Sequence, residues 1–171
     1  MGRRRPIERI PIENVPEGKD LAQKKARNNL NDAERIVDNP ESVNNAGLLT
    51  INAMEELAKA IILQNKFRDA HNRGDSFIQI GGQEDPFYSH PDKINIALNA
   101  MPANLKTLTM GTFDPHQIFF QTGRMEISQD LKEYITYTGY KDGKWISPHT
   151  LDPGQVKNLI QNIKATFFPE N

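Results

Sequence analysis

The stretch from Asn45 to Phe67 leaves this chain few architectures. Laid out at about 100° per residue, Leu49, Ile51, Ala53, Met54, Leu57, Ala58, Ala60, Ile61 and Ile62 sweep across most of a helical circumference. Polar residues keep only a narrow strip, made by Asn52, Glu55, Lys59 and Lys66. A helix apolar over so much of its surface has neighbours on most sides, which predicts the central helix of a bundle. Those neighbours are expected to be protein and not lipid. No window approaches the roughly 18 uninterrupted apolar residues of a membrane span.

The flanking patterns supply the other helices. From about Lys19 to Asp38, Ala22, Ala26, Leu30, Ala33 and Val37 fall at steps of three and four, the signature of an amphipathic helix. Asn39-Pro40 ends it, because the residue before proline is pushed out of helical geometry. The central helix then runs from near Ser42 to about Asp69, and the short connection predicts an antiparallel hairpin. Between Arg73 and Pro91 glycines and prolines predict a loop with a short strand at Phe77 to Ile80. Ser89-His90-Pro91 looks like the start of a third helix, broken near Pro102. His116 to Glu133 reads as another helical run.

Towards the C-terminus the pattern changes. Tyr134 to Tyr140 is aromatic and β-branched, Asp142-Gly143 turns, and Trp145 follows, which predicts a hairpin with Tyr140 opposite Trp145 and Lys141 opposite Lys144. Asp152-Pro153 caps a last helix reaching about Phe168, with Val156, Leu159, Ile160 and Ile163 on one side. At the other end Pro6, Pro11 and Pro16 exclude a long helix. Residues 1–16, with Arg3, Arg4 and Arg5, are therefore expected to be a flexible arm that makes few contacts with the body. The fold class is mostly α: an antiparallel helical bundle over 17–171, one domain, with a small β-hairpin near 134–147.

Charge and composition narrow the chemistry. The chain has 21 basic and 22 acidic residues among 171, a balance that argues against a bulk electropositive nucleic-acid binder. It has no cysteine, which excludes disulfides, thiol catalysis and cysteine-held metal. His71, His90, His116 and His149 lack metal-ligand spacing, and no phosphate-cradling or nucleophile motif is present, so neither metal nor cofactor is expected. Gly81-Gly82 reads as a loop turn. The N-terminus lacks an apolar signal core, and the expected location is the cytoplasm.

The polar strip of the central helix is the candidate site. Glu55 and Lys59 stand one turn apart in the favourable order for an ion pair. Glu56 sits at the strip's edge beside Leu49, Leu63 and Phe67, where a carboxylate needs a donor. It is expected to be mostly buried and bonded to a side chain from another helix. The long loop after Arg73 lets the next helix return alongside, so His90 is its expected partner, with Lys59 or Lys93 close by. Such a pair is compatible with a working site or with a lock between two helices. Tyr140 and Trp145 are compatible with hairpin core or with a stacking platform.

These segments together resemble a known family. Ala53-Met54-Glu55-Glu56-Leu57-Ala58-Lys59-Ala60 is similar to the Glu-Glu-(Leu/Ile)-Gly-Lys-Ala signature of AbiV-type abortive-infection proteins, with Ala58 where glycine is common. Ser89-His90-Pro91-Asp92-Lys93 resembles the family's His-x-x-Lys element. Tyr134 to Tyr140, the Asp142-Gly143 turn and Trp145-Ile146-Ser147-Pro148 resemble its tyrosine-rich strand, turn and Trp-x-x-Pro. The resemblance implies an HEPN-like bundle, a role in phage defence and a homodimer. The implied activity is growth or translation arrest by a toxin-like protein that binds a phage or host protein through Glu55, Lys59, Lys93, Tyr140 and Trp145. The alternative is an HEPN-type ribonuclease acting on RNA with His90 and Glu56 as catalytic residues. Many HEPN ribonucleases carry an arginine and a histidine a few residues apart. Here Arg68 and His71 have only two residues between them, and Lys66 and His71 have the spacing but begin with lysine.

Overall fold

A computed structural model describes residues 6–82, 85–106, 139–141, 143–147 and 150–169. Arg3 to Arg5, the helix expected at 116–133, residues 134–138, His149 and Pro148 lie outside them. The described chain is mostly helical, and none of its helices is long and apolar enough to cross a membrane. Its elements are β1 (Glu8–Pro11), α1 (Val15–Ile36), α2 (Val43–Arg73), β2 (Phe77–Ile80), α3 (His90–Asn99), β3 (Gly139–Lys141), β4 (Lys144–Ile146) and α4 (Pro153–Phe167). Short 3-10 turns occupy Ile12–Asn14 and Pro86–Tyr88.

The chain forms two compact units. One takes the described parts of 1–28 and 52–100, the other those of 29–51 and 101–171. With 31 residues, α2 is about 46 Å long.

In the first unit, β1 and β2 pair antiparallel with Ile10 opposite Ile78, and Ile12 N continues the ladder by donating to Ser76 O at 3.1 Å. Ile10 and Ile12 pack on a core of Val15, Leu63, Ala70, Ile78 and Ile80. The 1–16 arm is thereby corrected for its second half. Three prolines do exclude a long helix, but Pro11 ends a strand and Pro16 lies in the first turn of α1, both positions that need no N–H. Gly81 lets the chain leave β2: its φ is +105°, and a Cβ there would meet Pro6 O at 2.2 Å. Lys19 near the start of α1 donates to Gln64 in the second half of α2 at 3.2 Å, as an antiparallel pair requires.

In the second unit the connection between α1 and α2 is an Asn39 turn, whose side chain accepts from Glu41 N at 3.0 Å. The expected last helix is present. Asp152 caps it by accepting from Gln155 N at 2.8 Å, and Val156, Leu159, Ile160 and Ile163 are its buried residues. Lys157–Asp38 and Lys164–Glu34 ion pairs tie α4 to the end of α1, and Leu151 N donates to Asn44 Oδ1 at 2.9 Å. The β3–β4 hairpin has the expected register, Tyr140 opposite Trp145 and Lys141 opposite Lys144, with Gly143 at φ +78° in its turn.

Candidate functional site

The site is built where α3 begins, inside the first unit. Ser89 caps α3 through its hydroxyl, which accepts from Asp92 N, and the proline after His90 fits the first turn. His90 and Lys93 are three residues apart, so they project from one face of α3. Both reach the same oxygen of Glu55 on α2. His90 Nδ1 lies 2.8 Å and Lys93 Nζ 3.0 Å from Glu55 Oε2.

Burial sets the character of this cluster. Glu55 is 5% exposed and Lys93 4%. Two opposite charges removed from water hold each other across the two helices. The His90 side chain, by contrast, is 51% exposed. An ionised carboxylate only accepts, so Nδ1 of His90 carries the proton in this bond. Nε2 is then the nitrogen left for solvent or a ligand.

Glu56 is a correction to the sequence reading. It neither bonds another helix nor partners His90. Its carboxylate takes Lys59 Nζ at 2.6 Å on its own helix, and its side chain is 23% exposed. Lys59 Nζ also lies 5.8 Å from the Phe87 ring centre. The Glu55–Lys59 pair expected from the four-residue spacing is replaced by this Glu56–Lys59 pair. The first turn of α3 meets the polar strip at Glu55. The edge position of Glu56 faces the more open side instead. The wheel separates polar from apolar directions and says nothing of which neighbour lies in each.

One residue the sequence reading missed organises the loop ahead of α3. Asp85 Oδ2 accepts from Gly81 N at 2.8 Å and from Lys66 Nζ at 3.2 Å, while Oδ1 accepts from Phe87 N at 3.0 Å. Lys66 Nζ also donates to Gln79 O at 2.8 Å. These bonds hold β2, the 3-10 turn and α2 together just before Ser89. The signal was present as Asp85-Pro86, an N-cap followed by a first-turn proline. Tyr140 and Trp145 belong to the second unit, where their backbones are paired. Among the described residues no cluster of three or more His, Asp or Glu could hold a metal ion.

Neither a curated protein nor a solved structure matches the chain. The family model HEPN_AbiV, described as AbiV, matches residues 14–166 and so covers most of the sequence. That range contains the Glu55-Glu56 segment, His90 and Lys93, together with both long helices. The chain belongs to the AbiV family of HEPN-related abortive-infection proteins.

Proposed function

We propose that this chain is a non-catalytic phage-defence factor, a cytoplasmic homodimer that binds a phage or host protein and arrests growth or translation. Family membership supports the defence role. The observation that carries the binding reading is the closure of the Glu55–Lys93 pair. Phosphoryl chemistry needs cations aimed at the charge that develops on phosphate. Among the described residues the cation that shares Glu55 with His90 is Lys93, which is buried and already engaged. The cluster then acts as a lock that seats α3 on α2.

One observation favours a second reading, an RNA-acting enzyme. His90 is half exposed and oriented by a carboxylate, the arrangement of a general acid or base. In that reading Glu55 takes the orienting role first expected of Glu56. The two readings separate in a phage-challenged host, with total RNA integrity and protein synthesis followed together. Under the binding reading protein synthesis falls while RNA stays intact, and His90→Ala still protects. Cleaved RNA that becomes intact in His90→Ala, with protection lost, would establish the enzyme instead.

A further inference from the structure

In the first unit a cavity of about 400 Å³ lies between the start of α1, the middle of α2 and Phe87 of the second 3-10 turn. Ile10, Val15, Ala22, Leu63 and Phe87 give it an apolar lining. Its charged members are Lys25, Glu56 and Lys59. The volume is in the usual range for a binding pocket, about 300–1,000 Å³.

Three features show what such a cavity would accept. Leu21 lines it while 60% exposed, one of two exposed large hydrophobic residues among the described residues, so apolar surface continues outward from the cavity. Glu56 and Lys59 neutralise each other, which leaves Lys25 as the uncompensated charge of the lining. Gly18 also lines the cavity, and it is helical without needing to be glycine. A Cβ there would stand 3.4 Å from Leu63 Cδ1, an ordinary contact. Alanine would favour the helix more, so packing among the described residues does not account for the absent side chain. An open apolar floor beside a net positive charge matches an apolar anchor flanked by a carboxylate.

We propose that this cavity receives a leucine-, isoleucine-, methionine- or phenylalanine-type side chain from an acidic segment of the partner protein, whose Asp or Glu meets Lys25. The inference rests on the reading of the chain as a protein-binding defence factor and assigns that partner its docking surface. An apolar anchor in a pocket with charge at the edge is the usual distribution of energy in a protein interface.

The test uses the full chain and a random displayed-peptide library, followed by anisotropy titration of the selected consensus peptide. Selected peptides should carry one large apolar residue with Asp or Glu within one turn. Gly18→Leu, which fills the cavity, and Leu21→Asp should each weaken that peptide on the order of tenfold. Lys25→Glu should weaken it several-fold, and replacing the peptide's acid by lysine should restore binding to this variant. Lys25 is exposed, so its variant keeps the test open even if Gly18→Leu fails to fold. Absence of a selected consensus, a consensus without acid, or one indifferent to Lys25→Glu would each overturn the inference. So would saturable binding of dodecanoate in the cavity with no peptide selected. In phage-challenged cells, Lys25→Glu should lose protection with RNA intact. If that variant protects fully and RNA remains intact, the docking surface is wrong while the binding reading stands; cleaved RNA would reject the binding reading itself.

Discussion

Glu55 and Glu56 are adjacent on one helix and meet opposite surroundings. Glu55 is enclosed, and its carboxylate is held by His90 and Lys93 from α3. Glu56 stands by the cavity, and its partner is Lys59 one turn along α2. Adjacent residues on a helix point about 100° apart, so one sees the neighbouring helix and the other the opening. The lesson is energetic. A pair between two elements, away from water, makes each element depend on the other, whereas a partly solvated pair within one helix adds little.

The largest expected effect lies on the enclosed side. Lys93→Met removes a buried cation from Glu55 and should cost about 3–5 kcal/mol in urea unfolding. Adding Glu55→Gln to that variant should recover a substantial part, measured as a double-mutant cycle. A cost below about 1 kcal/mol for Lys93→Met would mean that water reaches Glu55 and the contrast with Glu56 is lost.

Next comes His90→Ala, expected to cost about 1 kcal/mol. It removes one bond to Glu55 from a half-exposed ring while Lys93 stays in place. A loss as large as that of Lys93→Met would make His90, and not the lysine, the main support of the carboxylate.

On the open side, Gly18→Ala should stabilise the fold by about 0.5–1 kcal/mol, since the new methyl makes an ordinary contact with Leu63. A destabilised variant in thermal unfolding would show that α1 and α2 pack more tightly there than the cavity implies. Smallest is Glu56→Gln, expected to change stability by less than about 0.5–1 kcal/mol. Should it destabilise more than Lys93→Met, the roles of the two carboxylates would be exchanged.

Much of the framework was legible as residue pattern. The steps from Ala22 to Val37 mark α1, and four apolar residues name the buried side of α4. Asp152 and Ser89 announce helix starts, and the Asp142-Gly143 segment places Tyr140 across from Trp145. Strand β1 was hidden because its pairing with β2 is non-local and its sequence, Glu8-Arg9-Ile10-Pro11, carries one apolar side chain and a proline. Asp85 was hidden for a related reason: its cap is local, but Lys66 reaches it across 19 positions.

For the candidate site, local order named the participants and long-range packing assigned their partners. Helical periodicity and capping depend on groups within about one turn, so the residues alone place Glu55, Glu56 and Lys59 on α2 and His90 and Lys93 at the head of α3. The bonds that define the site span 35 and 38 positions. They depend on where β2 and the Asp85 turn return the chain, which sets the face of α2 that α3 covers. A polar strip is open to solvation or to a charged neighbour. Here α3 brings His90 and Lys93 to it, and the buried carboxylate is therefore Glu55.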